Sequence, residues 1–462
     1  MINTGKHGMK LVSINPATEI TNKEIDCWSI DECMKIVDQV TAASVSWRKT
    51  KLADRASLIA SIGRQLSSKR DALASLITSE MGKVINESYA ELDKCIFTCE
   101  FYAEHAATFL QEENISSDAT QSYVRYEPLG TILGIMPWNF PFWQVIRFAV
   151  PALLTGNTVL LKHASNIPLS AQVAENIIHT AGIPKDVFRC LMIHSSQLTP
   201  LFSDERIKGV AVTGSEQTGR MVAMQAGQNL KKVVLELGGS DAFIVLEDAD
   251  LQGAVNAAVA SRFFTSGQSC INAKRIIVVE SIANQFIARF TDAVDALEIG
   301  DPLMPETKIG PMARNDLRDK LQQQVDKSVQ LGATIVVGGR KMDGKGYYYQ
   351  PTILTNVRKG MPAYDEELFG PVASIFVAKD EQDAIRIAND TKYGLGGAVW
   401  TRDLVRGEKV AQQIETGAVY VNGIMKSDPR LPFGGVKNSG MGRELGRHGM
   451  LEFSNAKTIW IS

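Results

Sequence analysis

The stretch Val233-Val-Leu-Glu236-Leu-Gly238-Gly239-Ser-Asp241-Ala-Phe-Ile-Val-Leu246 decides the fold. Val233–Leu237 and Asp241–Leu246 are short apolar runs rich in strand-forming residues. Each reads as a strand buried on both faces, the kind that a parallel sheet uses. Gly238-Gly239 breaks the pattern and sets a boundary between two α/β units. Upstream, strand-like runs at Asn157–Leu161, Phe188–Ile193 and Gly209–Thr213 alternate with helical patterns. Those patterns are Phe142–Leu154, which reads as amphipathic, Ser170–Ala181 and Ser215–Gly227. Downstream, Asp250–Phe264 and Ile282–Leu297 read as helices, with Asp250 a candidate N-cap. Arg275–Glu280, Pro351–Val357, Ala373–Ala378, Gly397–Thr401 and Ala418–Asn422 read as strands. This alternation predicts an α/β protein with parallel sheets covered on both faces.

The first third reads as helices, with Ser29 capping the first and Ala- and Leu-rich runs over 51–81 and 83–111. Two strands follow, Ser122–Tyr126 and Gly130–Met136. The terminal run Ala456–Ser462 is another strand, carrying Trp460 and two isoleucines. With no hairpin partner beside it, it is expected to pair elsewhere, a subunit interface being one such place.

At 462 residues the chain should form two or three domains, at ~100–200 residues each. Its 45% hydrophobic and 22% charged content predicts an ordinary soluble globular protein. A net charge of −2 gives no overall reason to bind nucleic acid or an anionic membrane. Met1–Lys10 has no apolar leader region, and no run reaches membrane-spanning length, so a cytoplasmic protein with reduced thiols is expected. None of the six cysteines forms a CxxC pair and the six histidines show no metal-ligand spacing, so no metal is expected.

Chemistry centres on Phe263-Phe-Thr-Ser-Gly-Gln-Ser-Cys270-Ile-Asn-Ala-Lys-Arg275. An isolated cysteine is most often an inert buried thiol. Beside Gly267-Gln268, and with Glu236 in its own Gly-Gly motif, Cys270 reads instead as a nucleophile served by a separate carboxylate base.

Six motifs extend this reading: Pro137-Trp-Asn-Phe-Pro141, Thr213-Gly-Ser-Glu-Gln-Thr-Gly219, Leu235-Glu-Leu-Gly-Gly239, Gly267-Gln-Ser-Cys270, Glu367-Leu-Phe-Gly-Pro371 and Pro432-Phe-Gly-Gly435. In this order and approximate spacing, the chain resembles the aldehyde dehydrogenase superfamily over essentially its whole length. The resemblance implies a Rossmann-like cofactor domain (1–112 and 129–238) and an α/β catalytic domain (239–432). A small β oligomerisation element (113–128 and 447–462) and a connection back toward the cofactor domain (433–446) complete it. A homodimer or homotetramer is implied as well.

By the same resemblance Cys270 attacks the aldehyde to form a thiohemiacetal, and hydride loss leaves a thioester. Asn139 and the Cys270 backbone N–H would steady the oxyanion. Glu236 would activate the hydrolytic water, and its presence argues against transfer to coenzyme A. Gly214-Ser215 opens a helix whose N-terminus suits a pyrophosphate. Lys162-His-Ala-Ser165 matches the adenosine-ribose site. Ser165 stands where many NAD-preferring relatives carry Glu, so repulsion of a 2′-phosphate is absent and Lys162 adds positive charge; NADP is expected over NAD, with NAD used less efficiently. His163 is expected to be structural. Glu367, Phe369, Trp138 and the Leu237 backbone would contact the nicotinamide end.

Arg147 and Ser427 match positions that hold a substrate carboxylate in succinate semialdehyde dehydrogenases of the bacterial NADP type. Phe264 stands where some members carry a second arginine, and Arg262 lies two residues earlier. Asn272 stands where others have a second cysteine, so that disulfide switch is not expected. Two alternatives stay open: a dehydrogenase of other short aliphatic or aromatic aldehydes, and a catalytically retired structural or binding protein.

Overall fold

The computed structural model describes residues 9–462; Met1–Gly8, part of the N-terminal reading, lie outside the described residues. Two sheets organise the chain. The first has six strands, in spatial order Gly440–Met441, Lys232–Glu236, Ile207–Thr213, Thr131–Met136, Thr158–His163 and Phe188–Cys190. All neighbours run parallel except Gly440–Met441, which returns antiparallel onto Lys232–Glu236. The second has seven strands, in the order Thr334–Val337, Thr352–Thr355, Val372–Ala378, Ala273–Val279, Asp241–Val245, Gly396–Trp400 and Ala418–Val421. Only its edge strand Thr334–Val337 is antiparallel.

The chain changes sheets between Glu236 and Asp241, across the Gly-Gly break. Both glycines are there for space. A Cβ on Gly238 would stand 2.3 Å from Glu367 Oε2, and one on Gly239 would stand 2.7 Å from the Cys270 carbonyl oxygen.

Ser29 caps the helix Ile30–Trp47 in a reciprocal box with Glu32, as expected. Asp250 precedes Leu251–Phe263, but its side chain makes no capping hydrogen bond; the carboxylate lies against Gly253 instead. The helix Trp143–Thr155 overturns the amphipathic reading: all of its residues are buried. It is clamped between the helix Ile85–Phe109 and the first sheet, so Gln144 and Arg147 are interior groups. Lys10–Ile14 and Thr21–Asp26 form an antiparallel pair that the helical reading of the first third missed.

The terminal strand Ser454–Ile461 pairs within the chain, antiparallel to Gln121–Pro128, in a three-stranded sheet with Glu113–Asn114. Its partner is therefore distant in sequence but lies in the same subunit. Among the described residues no helix is long and apolar enough to cross a membrane.

Candidate active site

The loop before Cys270 is held in an unusual backbone. Thr265, Ser266 and Gly267 take φ of 54°, 50° and 74°, a left-handed run that costs energy at the two non-glycine residues. Its neighbours fix it. The Thr265 N–H donates to both Glu87 carboxylate oxygens (2.9 and 3.1 Å), and Ser266 Oγ donates to the Gly310 carbonyl (2.9 Å). Asn272 donates from its side-chain amide to the carbonyls of Ser261, Arg262 and Phe264. This is a structural clamp at the position where a second thiol was not expected.

Cys270 comes out of that loop where two cavities meet, lining both. One, of about 560 Å³, is also lined by Asn139, Glu236, Leu237, Gly214, Ser215, Trp138, Glu367 and Phe369. The other, of about 420 Å³, is lined by Arg147, Ser427, Lys94 and a set of aromatic rings. Except for Lys162 and Ser165, residues singled out in the sequence for a cofactor and for a substrate thus line two cavities that share Cys270.

Burial pushes the Cys270 thiol up to about 12, against the opposing pull of Lys274 and Arg147. The thiol form thus dominates at neutral pH. Its alkylation by iodoacetamide is expected to speed up about tenfold per pH unit between about pH 7 and pH 9, because the thiolate is the nucleophile. A rate that levels off below pH 8, measured by peptide mass spectrometry, would contradict this.

Glu236 ends the strand Lys232–Glu236 and is 2% exposed, with both carboxylate oxygens lacking a hydrogen-bond partner. Burial, with Glu444 adding negative charge nearby, holds its carboxyl well above the usual carboxylate range. Pro432-Phe-Gly-Gly435 passes directly over it: a Cβ on Gly434 would stand 2.7 Å from Glu236 Oε1. Asn139 donates from Nδ2 to the Gln268 carbonyl (3.0 Å), next to the cysteine. Its second amide hydrogen and the Cys270 backbone N–H make no hydrogen bond among the described residues. Both donors are thus free, and Asn139 and Cys270 line the same cavity.

In the larger cavity, Ser215 caps the helix Glu216–Gln228 by accepting from the Thr218 N–H (3.2 Å). Its free N-terminal N–H groups border the larger cavity. Phe369 meets Trp138 edge-to-face, with ring centroids 5.9 Å apart. Glu367 Oε1 accepts from the Gly239 N–H and pairs with Lys274 Nζ, each at 3.1 Å. Lys274 also donates to the carbonyls of Ser269 (2.8 Å) and Cys270 (2.7 Å), joining the Glu367 loop to the cysteine loop. The helix N-terminus suits a phosphate and the aromatic pair a flat ring, so these residues fit a dinucleotide.

Lys162 and Ser165 stand at the end of the strand Thr158–His163, outside the lining of that cavity, with Lys162 Nζ 3.3 Å from Ser165 Oγ. Burial lowers Lys162 to about 8, a shift that a bound anion would oppose. His163 is structural: Nε2 donates to the Pro141 carbonyl (2.8 Å), and Nδ1 accepts from the Ala164 N–H (3.0 Å). That pairing fixes the neutral ring, in keeping with a pKa lowered by burial to about 4.

In the second cavity, Arg147 is an interior group. Only 3% exposed, it forms an ion pair with Glu444, donates to Thr213 Oγ1 (3.1 Å) and stacks over Phe433 (5.0 Å). Ser427 faces the same cavity and accepts a hydrogen bond from Lys94 Nζ (2.5 Å). Arg262 does not reach this space: it is fully buried and donates to the carbonyls of Val372 (2.8 Å), Leu368 (2.9 Å) and Gly370. Sequence reasoning missed Lys94, Lys274 and Glu444. Lys94 and Glu444 are brought in by tertiary contact and carry no local signal, whereas Lys274 lies four residues after Cys270 and reaches its carbonyl directly.

A family model described as the aldehyde dehydrogenase family matches residues 3–459. A protein of Synechocystis sp. named as a probable succinate-semialdehyde dehydrogenase [NADP(+)] is 47% identical, covering 98% of this chain and 100% of its own. An Escherichia coli succinate semialdehyde dehydrogenase [NAD(P)+] is 46% identical over 97% of each chain. Among solved structures, succinic semialdehyde dehydrogenase from Streptococcus pyogenes in complex with NADP+ superposes with a TM-score of 0.96 at 36% identity, covering 98% of this chain and 99% of that one.

Proposed function

The chain belongs to the aldehyde dehydrogenase family, and from that premise we propose that it oxidises succinate semialdehyde to succinate, with NADP and water as the other reactants. The observation that carries the proposal is the position of Cys270, shared by a cavity that fits a dinucleotide and a second one lined by cationic side chains. The names of its relatives point to the same substrate and cofactor.

In this reading the thiolate form of Cys270, its proton already lost to water, adds to the aldehyde carbon, and the oxyanion takes hydrogen bonds from Asn139 Nδ2 and the Cys270 N–H. The bound cofactor supplies a hydride acceptor. The thioester left on Cys270 is hydrolysed by water that gives its proton to Glu236, and succinate leaves as the thiol is restored. Ser215 and the helix behind it would hold the pyrophosphate, Lys162 and Ser165 the adenosine ribose and its phosphate. Glu367, Phe369, Trp138 and the Leu237 backbone would hold the nicotinamide end. Arg147 and Ser427 line the cavity that would take the far carboxylate.

The cofactor domain then comprises 1–112 and 129–238, the catalytic domain 239–432, and the connection 433–446. Segments 113–128 and 447–462 would serve a cytoplasmic homodimer or homotetramer. Aromatic lining by Phe140, Trp143, Phe264 and Phe433 favours a second reading, oxidation of neutral short aldehydes.

Steady-state kinetics with succinate semialdehyde and butanal, against NADP and NAD, separates the two. The expected result is a kcat/KM at least tenfold higher for succinate semialdehyde than for butanal, and higher with NADP than with NAD. Equal values for the two aldehydes would remove the carboxylate from the reading.

A further inference from the structure

Resting on that reading, we infer that Lys94 is the residue that meets the substrate carboxylate, with Ser427 as its hydrogen-bonding partner, while Arg147 acts from behind its pair with Glu444. Lys94 lies on the helix Ile85–Phe109, remote in sequence from every motif of the site, yet its side chain lines the cavity that ends at Cys270. Its ammonium sits 4.1 Å from the centroid of the Trp143 ring.

The charges around it leave this cation without an anion of its own. Glu91, one turn earlier on the same helix, pairs with Lys83 (2.5 Å) and accepts from the N–H groups of Phe142 and Trp143 (2.8 and 3.0 Å). Both Asp428 carboxylate oxygens accept from Arg430, from Nε (2.8 Å) and Nη2 (2.6 Å). Arg147, the other cation on this wall, is already matched by Glu444. Among the described residues no carboxylate pairs with Lys94.

Of the two cations on this wall, Arg147 pairs with Glu444, whereas Lys94 faces the cavity with only the Ser427 hydroxyl and the Trp143 ring as partners. A cation withdrawn from water is costly unless an anion joins it. Burial and the nearby Arg147 pull Lys94 down to about 7, the sign of a missing counter-ion. The Ser427 hydrogen bond has a direction that fits. Lys94 donates and the hydroxyl oxygen accepts, so the Ser427 hydrogen stays free to donate to an incoming carboxylate. A four-carbon aldehyde acid would place its carbonyl at Cys270 and its anion at this pair. A neutral aldehyde would gain nothing from Lys94.

The test uses the full-length enzyme as wild type, Lys94→Gln and Lys94→Arg. For each, kcat/KM is measured for succinate semialdehyde and for butanal, with succinate added as a competitive inhibitor. The ratio of the two kcat/KM values cancels any general loss of activity. It is expected to fall at least tenfold in Lys94→Gln, through KM for succinate semialdehyde, with a matching rise in the succinate inhibition constant. Lys94→Arg should recover most of the ratio. An unchanged ratio in Lys94→Gln, with succinate inhibition as in wild type, would overturn the assignment and return the carboxylate to Arg147. A wild type with no preference between the aldehydes would instead defeat the proposed substrate, before any variant is compared.

Discussion

Glu236→Gln should release its first equivalent of NADPH at close to the wild-type rate and then stall, with steady-state turnover lower by about 10²–10⁴-fold. The side chain is nearly isosteric, so the Gly434 backbone above it and the strand end that carries it need not move. What disappears is the group that can take a proton from water. Acylation proceeds and hydrolysis does not, so intact-protein mass spectrometry should find Cys270 carrying the acid as a thioester. The pH profile provides a second measure. Burial and Glu444 raise the Glu236 carboxyl, and the base works only when ionised, so wild-type turnover should climb as pH rises through that raised value. The Gln variant should lose this climb. Equal slowing of the first and later turnovers, with no accumulated adduct, would show that Glu236 is not the hydrolytic base.

Gly239→Ala is expected to lower kcat about 100-fold without touching any reacting group. The new Cβ would sit 2.7 Å from the Cys270 carbonyl oxygen and 3.1 Å from both Asp241 Oδ1 and Leu395 Cβ. None of these is the free end of a flexible side chain, so the cysteine loop must give way. That loop is pinned by Glu87, Gly310, Asn272 and Lys274, and a displacement of about an ångström is enough to spoil alignment with the carbonyl carbon. Gly227→Ala is the matching control: nothing lies within 4 Å of its Cβ, and full activity is expected. If Gly239→Ala keeps activity within about twofold of wild type, the loop is softer than its hydrogen bonds imply.

Much of the fold was legible because its signals are local. Ser29 and Glu32 are three residues apart and form their capping box wherever the helix forms. Short apolar strands broken by helices announce parallel sheets, and Gly238-Gly239 marked the change between them. The helix Trp143–Thr155 was misread because periodicity reports which face is more apolar, not how many faces are covered. The capping bond expected of Asp250 failed for a similar reason: residue type permits a cap, but the packing around Gly253 decides where the carboxylate goes.

The sequence by itself, through the family resemblance its motifs carry, singled out Cys270, Glu236, Asn139 and the residues expected to hold a cofactor, because each lies in a short contiguous motif. Only the tertiary structure decided which charges remain free. Arg147 meets Glu444, Asp428 meets Arg430 and Glu91 meets Lys83, while Lys94 keeps no carboxylate among the described residues. Charge neutralisation depends on which side chains approach within a few ångströms across distant segments, and residue spacing along the chain holds no record of that.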